Sequence, residues 1–171
     1  MSQDSQYDEV VSTFGAAIER LSRSYEADPD KRRDLLQDIH FALWRSLATF
    51  GRQCSLRTWV YRVAHNVGIS HVLKDRRNQH SLESLEDVED IAGPPGTANA
   101  VERRIDLDHL YRLIHNLQPV DREVILLYLE GLDASSIAEI TGISAANVAT
   151  KVHRIKGILG RRFRGEGPHD A

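Results

Sequence analysis

Residues 134–152 read ASSIAEITGISAANVATKV, and this stretch decides what kind of domain the second half of the chain builds. Asp133 and Ser144 carry side-chain oxygens that can accept the orphan N–H groups of a helix start. Gly142 between them can take the left-handed backbone that ends a helix. The spacing therefore predicts helices over 133–141 and 144–163 with a tight turn at Gly142, the arithmetic of a helix-turn-helix. Ala138 is small enough to let the two helices approach, and Ile137, Ile143 and Val148 fill the space between them. In the second helix Val148, Val152, Ile155 and Leu159 make one apolar stripe. Its other side carries Asn147, Thr150, Lys151, Arg154 and Arg161. Amide and guanidinium groups can read base edges in a major groove, and Lys and Arg neutralise phosphates. Six Lys and Arg lie between Lys151 and Arg164 with no acid among them.

Working back from this motif, Pro119 suits a first helical position and Gly131 a C-terminal cap, which places a helix over 119–130 and another over 101–116. Before them, residues 81–100 (SLESLEDVEDIAGPPGTANA) hold five acids and no base. The run Gly93-Pro94-Pro95-Gly96 cannot continue a helix. This segment is expected to be a flexible acidic, Gly-Pro linker. On its N-terminal side three apolar stripes recur at three- and four-residue steps. The first is Tyr7, Val10, Val11, Phe14, Ile18, Leu21 and Tyr25. The second is Leu36, Ile39, Leu43, Leu47 and Phe50, opened by Asp28-Pro29-Asp30. The third is Leu56, Val60, Val63 and Val67. In that third helix Thr58, Tyr61, Arg62, His65, Asn66 and Ile69 are expected to point away from the core, giving it a second, chemically loaded face. The expected fold is all-α, with two small helical domains at 1–80 and 101–171 joined by the linker 81–100.

Composition narrows the function. The 171 residues are 41% hydrophobic and 27% charged, near globular averages, and no apolar run approaches the ~20 residues of a membrane span. The polar, acidic stretch 1–9 lacks the features of a secretory signal, and the lone Cys54 suits a reducing compartment. A cytoplasmic protein with no membrane contact of its own is expected. The net charge of −3 conceals a pattern: 12 bases against 7 acids over 15–80, the acidic spacer, and 6 bases against 3 acids over 134–171. Two basic blocks suggest an anionic partner such as nucleic acid. An enzyme would have to use His40, His65, His71 and His80, whose spacing makes no ligand set and which no nucleophile motif accompanies. Neither catalysis nor a cofactor is expected. Two other readings stay open, a helical adaptor and a stand-alone helix-turn-helix regulator with a dimerising or sensory front end; such a regulator would footprint DNA by itself.

The residues also carry a family resemblance. Residues 110–163, with Leu117-Gln118-Pro119, Asp121-Arg122-Glu123-Val124, Glu130-Gly131, Ile137-Ala138-Glu139-Ile140 and Val152-His153-Arg154-Ile155-Lys156, resemble region 4 of bacterial sigma factors. Residues 34–44 (DLLQDIHFALW), Phe50 and residues 56–66 (LRTWVYRVAHN) resemble region 2 of the extracytoplasmic-function group of those factors. The resemblance implies a dissociable subunit of RNA polymerase that directs promoter-specific initiation and performs no covalent chemistry. It implies that Asp34, Gln37, Asp38 and Phe41 dock on the clamp coiled coil of core polymerase. It assigns Arg57, Trp59, Tyr61, Arg62, His65, Asn66, Lys74, Arg76 and Arg77 to the minus-ten element, with 50–55 as a base-pocket loop. Ser144, Asn147, Thr150, Lys151, Arg154 and Arg161 fall to the minus-thirty-five element. The implied partners are core polymerase, promoter DNA and an anti-sigma factor. Arg33 and Asn147 depart from the family's usual acid and threonine.

Overall fold

The computed structural model describes residues 2–80 and 100–164. Seven helices lie among them: α1 (Gln3–Tyr25), α2 (Pro29–Leu47), α3 (Leu56–His80), α4 (Ala100–His115), α5 (Pro119–Leu129), α6 (Ala134–Thr141) and α7 (Ala145–Phe163). The expected all-α architecture is present. The linker expected over 81–100 lies outside the described residues, except that Ala100 opens α4.

The helix ends follow from local chemistry. Asp28 accepts from the backbone N–H of Asp30 at 2.8 Å and of Lys31 at 3.1 Å, so the chain turns into α2 with Pro29 in its first turn. Those two N–H groups hold the Asp28 carboxyl below its ordinary pKa. Asp133 caps α6 by accepting from Ser136 N at 2.7 Å. Gly142 then ends α6 at φ +79°, its N–H donating to Ala138 O at 2.9 Å. Two residues later Ser144 Oγ accepts from Asn147 N at 3.2 Å and starts α7. A side chain at Gly142 would be strained by that positive φ.

Helices α1 to α3 form one unit around Val10, Ile18, Leu21, Leu35, Ile39, Leu43, Val60 and Ala64, all buried. Burying one Leu or Ile stabilises by about 1.5–3 kcal/mol. Three expectations need correcting. Leu35, not Leu36, joins Ile39, Leu43 and Leu47 in the centre of α2, because a strict four-residue step tracks the buried line there more closely than the mixed step expected. In α3 Val60 and Ala64 are the buried centre, while Leu56, Val63 and Val67 are only partly covered. Thr58, expected to point away, is buried, and its Oγ1 lies 2.8 Å from Ser55 Oγ at the helix start.

Helices α4 to α7 form the second unit around Ile114, Val124, Ile125, Leu127, Ile137, Val148, Ile155 and Leu159. Arg122, itself buried, ties its turn together by donating to the carbonyls of His115 at 2.5 Å and Leu117 at 3.3 Å. A third donation reaches Ser24 O in the first unit at 3.4 Å. The two units are in contact: α1 packs on α4 and α5, and α3 packs on α5 and α6.

Candidate polymerase and nucleic-acid interfaces

On α2 the side chains of Asp34, Gln37, Asp38 and Phe41 are all exposed and follow three- and four-residue steps, so they share the face turned from the core. Phe41 is 58% exposed and Trp44, one step further along, 40%. Trp44 Nε1 donates to Asp4 at 3.2 Å, and Gln3 donates to the Trp44 carbonyl at 2.7 Å, so the start of α1 props this end of α2. Two large apolar groups facing water beside two carboxylates and an amide are what a protein-docking patch needs. Sequence reasoning did not single out Trp44 as a site residue, because its position alone cannot distinguish an exposed from a half-buried indole.

The residues expected at the minus-ten element divide into two sets. Asn66, Lys74, Arg76 and Arg77 are exposed along α3. Trp59 is partly buried with its ring 4.9 Å from that of Phe50, so the loop 50–55 is anchored by an aromatic pair. Beneath this loop Phe50, Arg52, Cys54 and Leu56 line a cleft of about 520 Å³ with Gln6, Glu9 and Val10 of α1. Arg52 sits at φ +53° in that loop.

Arg57, Tyr61, Arg62 and His65 differ from this first set: they face the second unit. Arg57 donates to the carbonyl of Glu130. Tyr61 donates to the Glu130 carboxylate at 3.2 Å. Arg62 lies 3.7 Å from the Glu139 carboxylate. His65 Nδ1 meets the buried carboxylate of Glu123, which also accepts from Tyr25 OH at 2.9 Å. The expectation that Tyr61 and His65 point into solvent is therefore corrected. Tyr61 is 2% exposed, and both are covered by α5 and the chain that follows it. Burial pushes the His65 imidazole down to about 4, so the ring is neutral near pH 7.

In the second unit Ser144, Asn147, Thr150, Arg154 and Arg161 are exposed along one side of α7. Ser144 is committed to its cap, and Thr150 Oγ1 donates to Ala146 O at 3.0 Å. Lys151 is less free than expected: its ammonium donates to Asp121 Oδ1 at 2.7 Å, and Arg154 donates to Asp121 Oδ2 at 2.5 Å. One carboxylate of α5 thus aims two cations of α7. The run Asp121-Arg122-Glu123 was quoted in the sequence motif, and three charges crowded beside Val124-Ile125-Leu126-Leu127 were the available hint that they serve partners inside the protein.

No three His, Cys, Asp or Glu among the described residues are grouped to hold a metal ion. His40 pairs with Tyr7 OH at 2.9 Å and His71 with Glu26 at 2.8 Å, far from one another's chemistry. No helix of the described residues is long and apolar enough to cross a membrane.

A compact helical unit with an exposed apolar and acidic patch, next to a helix-turn-helix with a cationic outer side, defines a DNA-binding protein built to dock on another protein. Comparison with known proteins identifies the class. Residues 10–78 match the model "Sigma-70 region 2" and residues 107–159 the model "Sigma-70, region 4". The chain belongs to the sigma-70 family, as a member of its extracytoplasmic-function group with regions 2 and 4. It is 27% identical over 125 residues to the RNA polymerase sigma factor YlaC of Bacillus subtilis, covering 72% of each chain. It is 25% identical over 163 residues to the ECF RNA polymerase sigma-E factor of Haemophilus influenzae, covering 91% of this chain and 86% of that one. In fold it is similar to the sigma factor RpoE of Bartonella quintana, solved with the anti-sigma factor NepR, at TM-score 0.75 and 22% identity over 96% of this chain and 98% of that one. CnrH, solved with the cytosolic domain of CnrY, superimposes at TM-score 0.65 and 19% identity over 94% and 89% of the two chains. The protein is thus a sigma factor for promoter-specific initiation by RNA polymerase, non-enzymatic and, like the polymerase it serves, cytoplasmic.

Proposed function

We propose that this sigma factor divides its work between two units, 1–80 and 101–171, with 81–100 as the tether. Asp34, Gln37, Asp38 and Phe41 dock on core polymerase, and Trp44 widens the patch. Short carboxylates pair with Arg-rich helices through charge-assisted hydrogen bonds that fix register. The loop 50–55 and α3 hold the opened minus-ten strand: a base leaves the stack toward the cleft beside Phe50 and Arg52, while Arg57, Arg62, Lys74, Arg76 and Arg77 hold the backbone and Trp59, Tyr61, His65 and Asn66 face the bases. Helix α7 enters the duplex at the minus-thirty-five element, with Asn147 and Lys151 toward base edges, Thr150 toward either, Arg154 and Arg161 toward phosphates, and Ser144 holding the helix start at the site. An anti-sigma factor is a further partner of this chain, as NepR is of RpoE.

The observation that carries this reading is the α2 patch, where Phe41 at 58% exposure is flanked by exposed Asp34 and Asp38. A protein acting on DNA alone has no use for it. The test is run-off transcription with purified core polymerase and a library of promoter fragments. Discrete start points that vanish when the chain is omitted support the reading, and the absence of any defined start overturns it.

A further inference from the structure

The exposed side of α2 ends on an aromatic ring that the start of α1 holds in place. Trp44 follows Phe41 by three residues and Gln37 by seven, so its indole stands on the same side as the docking patch. Although 40% exposed, the ring is not left to turn freely in water. Its Nε1 donates to Asp4 Oδ1 at 3.2 Å. The Trp44 carbonyl lies in the last turn of α2, where a helix runs out of N–H partners, and the Ala48 N–H that a continuing helix would bring to it goes to Ser46 O instead. Gln3 Nε2 fills that place, donating to Trp44 O at 2.7 Å. One helical turn away the same two helices meet again: Tyr7 OH and His40 Nδ1 lie 2.9 Å apart, with the rings at 84°. Ser2 caps α1 beside this contact, its Oγ accepting from Ser5 N at 3.2 Å.

We propose that Asp4 and Gln3 are positioning residues for polymerase docking, which hold the Trp44 indole and the end of α2 in the orientation that core polymerase meets; this rests on the docking role proposed for α2. Neither residue has to touch the polymerase. A hydrogen bond open to water adds little to stability, because water replaces either partner. Its effect falls on binding. An aromatic side chain that becomes fixed on docking loses rotamer freedom at that moment unless it is fixed beforehand, and aromatic anchors carry much of the energy of many interfaces. The Asp4 carboxylate suits the task, since an ionised acceptor makes the stronger hydrogen bond. A rival role for Asp4 is that of one more acid beside Asp34 and Asp38, attracting polymerase by charge alone. The two roles make opposite predictions for asparagine, whose side-chain oxygen still accepts from an indole while the charge is gone.

The test measures the affinity of the full chain for purified core polymerase. Asp4→Ala should bind about three- to tenfold more weakly than wild type, with little change in Tm, and Asp4→Asn should recover most of that loss. In a Trp44→Phe background, which lacks the indole N–H, Asp4→Ala should have no further effect. Gln3→Ala, which frees the Trp44 carbonyl, should weaken binding in the same direction. The restraint itself is read in the free chain carrying Trp59→Phe, which leaves Trp44 as the one tryptophan of the original two. There Asp4→Ala should add a fast component to the decay of fluorescence anisotropy, and Asp4→Asn should not.

Wild-type affinity in either alanine variant removes that residue from the role. Equal weakening by Asp4→Asn, or a loss that persists in the Trp44→Phe background, overturns the positioning of Trp44 and assigns Asp4 to direct charge attraction. An unchanged anisotropy decay in Asp4→Ala overturns it as well. If Trp59→Phe loses its helices by circular dichroism, the asparagine rescue and the Trp44→Phe background decide alone. Trp44→Ala and Asp38→Arg separate positioning from docking. If both bind core as wild type does, the docking role of α2 fails and the positioning role with it. If both bind weakly while Asp4→Ala and Gln3→Ala bind normally, only the positioning role fails.

Discussion

Replacing Gly68 with alanine pits two effects of known size against each other. Gly68 lies on α3 where α1 ends, and a Cβ built there would sit 2.6 Å from both Cδ2 and Cε2 of Tyr25 and 2.9 Å from its Cγ. The ring cannot retreat freely: it is 4% exposed, and its hydroxyl donates to Glu123 at 2.9 Å. Forcing one extra carbon into such a place costs about 1–3 kcal/mol. Alanine recovers about 0.8–1 kcal/mol by its better helix propensity. Overpacking wins over most of that range, leaving a net loss of about 1 kcal/mol at its middle. For a chain of this size each kcal/mol lowers Tm by about 2–4 °C. At Gly15 on α1 the same substitution meets only Val11 Cγ1 at 3.8 Å, so propensity acts alone and Tm should rise. Thermal melts of the two variants, followed by circular dichroism, should therefore move in opposite directions. A Gly68→Ala protein as stable as Gly15→Ala would refute the packing argument.

Asp38→Arg should reduce recovery of core polymerase in a pull-down by about tenfold or more, since like charges at an interface are strongly unfavourable, without moving Tm; undiminished recovery would remove Asp38 from the docking patch. Asn147→Ala should cost about 1–3 kcal/mol of discrimination between good and mismatched minus-thirty-five sequences while leaving non-specific binding intact, measured by competition in the assembled holoenzyme. Stability should fall as pH drops below about 6.5. Burial holds His40, His65 and His115 below their ordinary value, His65 at about 4, so below pH 6.5 the unfolded chain takes up protons that the folded chain resists. Urea midpoints at pH 7.5 and 5.5 compare the two regimes, and equal midpoints would contradict this.

Much of this fold was legible because its boundaries rest on local chemistry. Asp28, Asp133, Ser144 and Gly142 each act within a turn of their own position, so the starts of α2, α6 and α7 lie within a residue of where the spacing put them. The exposed sets on α2 and α7 followed from periodicity, since one side of each helix was plainly apolar. The outward pointing of Tyr61 and His65 was not readable, because nothing within α3 records that a helix about sixty residues further on covers that side. Glu130 was equally opaque: a glutamate partnered at a distance of 110 residues looks like any surface acid. Periodicity separates inside from outside for one helix at a time. It is silent on which outsides meet.

The bridge from Asp121 to Lys151 and Arg154 bears on how α7, placed in the duplex as proposed, would distinguish one stretch from another. Both cations already have an anion of their own, so an arriving phosphate is a competitor for them and not a first suitor. DNA that offers only its backbone gains little from displacing Asp121. On the proposed placement of α7, a site that also satisfies Asn147 would add base contacts to the same exchange, so Asp121 would weaken binding to backbone alone more than binding to a matching site.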